Sequence, residues 1–237
     1  MIAILAPLLF MLAQPPIQPQ AQPPVPQAFT YRFEEVKRSV LRWPGGDQAQ
    51  ERKVAKGDQA LTGDGVKTGW WGQALLSVPE RQARFEVYAN TQVKLAGGEP
   101  GVLLVLTQGR IKAFFQHLTE GAPAERRVAV PGALLAVRGT RYGVEVDSEG
   151  KSTLVVFEGV VEVLRPGPGL EPVQVRAGQW TTFGPGRAPK VEAIPARGFG
   201  ERAWGQGLRP EGPANANALA VLGTLPGRGL GLGRSHR

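Results

Sequence analysis

The chain has 237 residues, enough for one substantial hydrophobic core, and carries 28 Lys and Arg against 20 Asp and Glu, a net charge of +8. It has no cysteine, which excludes disulfides, thiolate metal sites and a lipid anchor on Cys. Six arginines and two glutamates beyond residue 196 hold half of the net charge; the charges elsewhere are interspersed and form no basic stripe, so no specific nucleic-acid binding is expected.

Residues 1–28 contain no charged side chain. Ile2 to Ala13 form an apolar run, too short for a membrane span of about 20 residues but of the length of a secretory h-region. The expectation is a signal segment over 1–13, with Ala13 or Ala21 as the cleavage position, and therefore export to the periplasm or beyond. A Pro/Gln-rich linker over 14–28 should be extended and polyproline-like. The last stretch, 197–237, is rich in Gly, Pro and Arg and is expected to be disordered. One domain is then expected over 29–196, with no transmembrane helix of its own.

Within it the hydrophobic period is two. Residues 32–41 are ambiguous, since Val36, Val40 and Leu41 would also serve one face of a helix. Phe85 and Val87 alternate with Arg84 and Glu86, and Val93 and Leu95 alternate with Gln92 and Lys94, with Asn90-Thr91 placed for a turn. Residues 102–106 are continuously apolar, as in a strand covered on both faces, and a second run follows Gly109. Tyr142, Val144 and Val146 alternate with Arg141 and Glu145, and Thr153, Val155 and Phe157 with Leu154 and Val156, in a hairpin turned by Asp147-Ser148-Glu149-Gly150. Glu158-Gly159 marks a bulge or bend before 160–163. Runs over 173–176 and 179–183 make a last pair, closed by Gly184-Pro185-Gly186. Many short strands at this spacing predict an all-β fold, a compact sandwich or roll of largely antiparallel strands, with a solenoid-like stack as the alternative.

The glycine pattern then becomes specific. Residues 56–69 (KGDQALTGDGVKTG), 73–78, 90–95 and 106–111 lead to 131–146, PGALLAVRGTRYGVEV, whose centre is Arg138-Gly139-Thr140 followed by Tyr142. Residues 157–163 and 176–180 complete the series. In this order the segments resemble the FecR domain, over roughly Val36 to Phe183. The resemblance favours strand over helix for 32–41. It also implies a regulatory setting: the typical member spans the inner membrane, controls a sigma factor on one side and hears from an outer-membrane siderophore receptor on the other. This sequence shows neither the cytoplasmic region nor the spanning helix of that plan, so the anti-sigma role is not expected of it.

Gly57, Gly63, Gly65, Gly69, Gly139, Gly159 and Gly178 are read as backbone requirements. Trp70, Trp71, Arg138, Thr140 and Arg141 are the candidate partner contacts. Adjacent strand residues face opposite sides, so one of Trp70 and Trp71 should be buried and the other available to a sugar ring or an interface. Trp180 is assigned to the core. Asp58 and Asp64 sit in Gly-rich loops with oxygen chemistry suited to Ca²⁺, yet no repeated spacing supports a site, and no metal or cofactor is expected. His117 and His236 are the two histidines, and no general-base arrangement surrounds them in sequence. The expected function is therefore a non-enzymatic, exported module that binds a protein or polysaccharide of the cell envelope. The alternative is a soluble component of envelope signalling, of the iron and siderophore type, acting through a separate membrane partner.

Overall fold

The computed structural model describes residues 28–96, 100–117, 126–195 and 204. The expected signal segment, nearly all of the linker, and the tail apart from Trp204 lie outside the described residues. Among these residues there is no α-helix, only short 3₁₀ turns, and no helix long and apolar enough to cross a membrane.

The first half of the chain supplies β1 (Thr30–Lys37), β2 (Val40–Trp43), β3 (Arg52–Lys53), β4 (Gln59–Leu61), β5 (Gly65–Thr68), β6 (Gln73–Val78), β7 (Ala83–Val87) and β8 (Gln92–Leu95). A long central strand, β9 (Val102–Phe115), follows. The second half supplies β10 (Arg126–Val130), β11 (Ala133–Val137), β12 (Arg141–Val146), β13 (Ser152–Glu158), β14 (Val160–Leu164), β15 (Val173–Arg176), β16 (Gln179–Gly184) and β17 (Arg187–Ala193).

These strands make two sheets that share β9. The first runs β4-β1-β6-β7-β9-β12-β13-β16-β17. The second runs β3-β2-β5-β8-β9-β10-β11-β14-β15. The β9–β10 pairing is parallel; the other pairings are antiparallel. Inward side chains of both sheets, among them Phe33, Leu76, Phe85, Leu104, Leu135, Val144 and Val161, form one buried cluster. The alternating burial of β7, β10, β11 and β14 is the period-two pattern of the sequence made physical.

The structure joins two runs that the sequence left separate. Residues 102–106 and 111–115 are one strand, bent at Gly109, whose φ is +93°. The N-terminal part pairs in the second sheet with β8 and β10, and the C-terminal part pairs in the first with β7 and β12. Thr91 holds the bend: its Oγ1 accepts from Arg110 N at 2.9 Å and its one proton is shared between the Arg110 and Ala89 carbonyls, each 3.2 Å away. A second difference lies at 184–186, which turn the chain into one more strand, β17, beyond the runs over 173–183. Residues 32–41 contribute strands to both sheets, the change of sheet falling at Arg38-Ser39.

The second half alternates regularly. A hairpin in one sheet is followed by a hairpin in the other, and each crossing is a short corner: Arg138–Thr140, Gly159, and Ala177-Gly178. The body is thus a sandwich, built by a repeated winding that gives it some of the character of a stack.

Candidate functional site

The Trp70-Trp71 pair does not lie on a strand. It occupies a tight turn between β5 and β6, closed by Gly72 N donating to the Gly69 carbonyl at 2.9 Å. Both indoles are therefore outside: Trp70 is 73% exposed and Trp71 71%. The expectation that one would be buried fails, because the two-face alternation that predicted it holds only along an extended strand.

Arg138, Thr140 and Arg141 form the corner between β11 and β12. Arg138 is exposed. Thr140 is buried, and its carbonyl accepts from Phe115 N at 2.9 Å, so it braces the corner and presents nothing to a partner. Arg141 is half-buried and its Nη2 lies 3.3 Å from Glu158 Oε2 across the β12–β13 pair. The Trp turn and this corner are not one site. In the first sheet Gln73, next to the Trp turn, lies at the Val87–Ile111 end of the strands, whereas Arg141 lies level with Phe114, near Val78 and Ala83. That separation is four residues, roughly 14 Å along the strands.

The glycines divide by physical cause. Gly57, Gly63, Gly139, Gly159 and Gly178 have positive φ. Gly65 and Gly69 do not, and lie instead under neighbours: a β carbon at 65 would fall 1.9 Å from the Trp43 indole, and one at 69 would fall 3.2 Å from Ser39 Cβ.

Sequence reasoning missed a groove of about 520 Å³ on the outer face of the first sheet. Leu75 on β6 and Phe114 on β9, both half-buried, supply its apolar surface. Its polar lining has both signs: Glu34 pairs with Arg84 at 3.5 Å, and Gln73 Nε2 donates to Glu86 Oε1 at 2.6 Å. Glu34 is the extra residue where the β1–β6 register slips between Phe33 and Glu35, which bends the sheet here. The signal was present in the sequence only as Phe114, an aromatic residue on the polar side of an alternating run.

The same face is covered farther along. Trp204 packs on Val155, with Tyr88, Phe157, Trp180 and Ile194 around it. Its ring meets Phe157 edge to face at 6.1 Å, and its carbonyl accepts from Arg110 Nη1 at 3.3 Å. Trp180 is thus half-buried in this outer cluster and not in the main core. Trp204 also carries the packed body past the boundary drawn at residue 196. Lys112, over the rings of Phe114 and Phe157 at 5.1 and 5.8 Å, stands between the covered and the open parts of the face.

The other polar groups singled out serve the loops. Asp64 is buried and accepts from Gly45 N at 2.8 Å and Leu61 N at 3.0 Å, with Arg42 Nε at 3.5 Å. Asp58 accepts from Ala55 N at 2.9 Å. Their carboxylates thus organise separate turns, and among the described residues no three His, Cys, Asp or Glu side chains gather as a metal set. His117 is exposed beside Gly139, where a β carbon would fall 2.2 Å from its Nδ1. Burial pushes the hydroxyls of Tyr31 and Tyr142 well above the usual phenol range. The buried Arg126 guanidinium is shifted down, first by desolvation and then by the charge of Arg81.

Residues 66–162, from β5 into β14, match the sequence model of the family described as FecR protein. That span contains Trp70, Trp71 and the Arg138–Arg141 corner, and leaves out Gly57, Gly63, Gly65 and Gly178. Two crystal structures of a "putative anti-sigma factor" from Parabacteroides distasonis align at 14% identity and a TM-score of 0.45. Each alignment covers 56% of this chain and 60% of that chain. No curated protein matches the sequence.

Proposed function

We propose that the chain is an exported, non-enzymatic FecR-type module of the cell envelope that docks a partner protein in the open groove of its first sheet. The observation that carries this reading is the groove itself. It combines an apolar floor at Leu75 and Phe114 with carboxylates and cations at Glu34, Lys37, Arg84 and Glu86. A surface of both charge signs around a half-buried aromatic suits a protein segment, which brings its own charges and apolar side chains, better than a neutral glycan.

The FecR domain gives the setting, envelope signalling, and the docked protein is in this reading a membrane partner that carries the signal onward. Two measurements test it. Fractionation with N-terminal sequencing of the mature protein checks export; a cytoplasmic protein with an intact Met1 sinks it. A photo-crosslinker at Leu75 should capture one envelope protein, and Arg84→Glu should abolish the adduct, while a crosslinker at Glu162 on the second sheet should not yield it. The same adducts from both positions, or retention on purified peptidoglycan with no protein adduct, would remove the groove as a protein site.

A further inference from the structure

We propose that the Trp70-Trp71 turn is a membrane-interface anchor that seats this end of the sandwich on an anionic lipid surface. Partner docking in the groove is a separate event; Lys37, at the edge of the groove, borders both surfaces.

The turn is firmly built. Gly69 N donates to the Ser39 carbonyl at 2.9 Å, Asn90 N donates to the Gly69 carbonyl at 3.1 Å, and Gly72 N closes the turn on the same carbonyl. The β1–β2, β5–β6 and β7–β8 connections are thus tied together. Neither end of the turn admits a β carbon without displacing Ser39: from Gly72 it would reach the Ser39 carbonyl oxygen at 2.1 Å. The backbone between them is held, and the two indoles are presented to the outside, each nearly three-quarters exposed. Two adjacent, fixed tryptophans in water leave a large apolar area unburied, the strongest local excess of apolar surface on the described body.

Charge selects the occupant. The three connected turns, 37–39, 69–72 and 88–91, contain Lys37 and Arg38 and no carboxylate, and the exposed Lys67 lies on β5 just before the turn. Asp147 and Glu149 belong to the β12–β13 hairpin, beyond β7 and β9 in the sheet, and Asp147 Oδ1 is already bonded to the Glu149 and Lys151 amides. Exposed indoles in a turn whose bonded neighbouring loops carry Lys37 and Arg38 and no carboxylate suit the boundary between headgroups and acyl chains, where the indole body is buried, its N–H stays among polar groups, and Lys and Arg meet anionic phosphates. A neutral glycan would use the indoles and leave the cations without purpose.

The test uses the full chain and vesicles of phosphatidylglycerol and phosphatidylcholine in which the acyl chains carry bromine. Bromine quenches only indoles that enter the interface, so the turn is read separately from any binding by the chain termini. Trp43 and Trp204 are buried and Trp180 is half-buried, so they give the unquenched background. The expected result is quenching in the wild type, its loss in Trp70→Ala/Trp71→Ala, and a fall in vesicle affinity of about tenfold or more. Arg38→Glu/Lys67→Glu, which leaves the groove residues untouched, should weaken binding at low salt and matter less at high salt. Circular dichroism of both variants should match the wild type, since these side chains are exposed. Vesicle binding without quenching, or no vesicle binding, overturns the proposal. So does retention on peptidoglycan that depends on Trp70 and Trp71 while lipid quenching is absent.

Discussion

Gly143 lies directly beneath Trp204: a β carbon at position 143 would sit 2.4 Å from the indole Cδ2. Gly143 is on the outward row of β12 between Arg141 and Glu145, and the missing side chain leaves the notch that the ring fills. Gly143→Ala should therefore expel the indole, with a loss of about 2–4 kcal/mol, close to that of Trp204→Ala. Because both changes remove one contact, the double variant should cost little more than either single. Denaturant titration of the three variants checks this; full additivity would mean that the two residues do not share a site.

Gly159 should be the least replaceable corner. Its φ is +79°, and a β carbon there would lie 2.6 Å from the Gly139 carbonyl oxygen and 2.7 Å from Thr140 Cγ2. Two adjacent sheet crossings are in contact at this point, and the Gly159 carbonyl accepts from Ala177 N at 3.0 Å to bring in the third. Gly159→Ala should cost about 3 kcal/mol or more, combining strain with overpacking. Gly57→Ala, at φ +92° but with open space around it, should cost only the strain, about 1–2 kcal/mol. Equal losses at the two positions would show that the contact between corners contributes nothing.

Asp64→Ala should destabilise by about 2–4 kcal/mol, because it strips acceptors from the Gly45 and Leu61 amides and leaves Arg42 without its ion pair. Asp58→Ala, in an exposed turn, should cost less than about 1.5 kcal/mol. The stability of both should be indifferent to added Ca²⁺. A Ca²⁺-dependent rise in Tm that Asp64→Ala removes would mean that the carboxylate holds a cation as well as the loop amides.

Tyr142 is fully buried, stacked on Phe115 at 6.2 Å, and among the described residues its hydroxyl has no hydrogen-bond partner. Tyr142→Phe should therefore leave stability unchanged or raise it by about 1–3 kcal/mol. The same residue sets an alkaline limit. Burial raises the Tyr31 and Tyr142 hydroxyls from 10.0, so both stay protonated in the fold after the unfolded chain begins to ionise. Their stabilisation is complete below about pH 10 and declines as pH rises beyond it, at roughly 1.4 kcal/mol per pH unit for each. In Tyr142→Phe the slope should fall by about one proton. An unchanged slope would place the ionising group elsewhere.

Much of the body was legible in advance for a simple reason. A strand with one face in the core must alternate, and alternation is local: Phe85 and Val87, Val144 and Val146, and Val161 and Val163 announce their inward direction without reference to any partner. The positive-φ glycines at 139, 159 and 178 are equally local, since few other residues hold that backbone conformation. The exposure of Trp70 and Trp71 was misjudged because a strand rule was applied to a turn, and turn membership depends on amides and carbonyls of Ser39 and Asn90, distant in sequence.

The amino-acid order alone thus determined the fold class, the strand runs and the resemblance to the FecR model over 66–162, because each rests on period, glycine spacing or motif order within short windows. Tertiary structure alone decided that β9 serves both sheets, that Trp204 closes one part of an outer face while Leu75 and Phe114 floor an open groove on another, and that Trp70 and Arg138 stand at opposite ends of the strands. These are relations across pairings of distant segments, where one register places a side chain inside or outside, and local sequence carries no record of which segment will lie beside it.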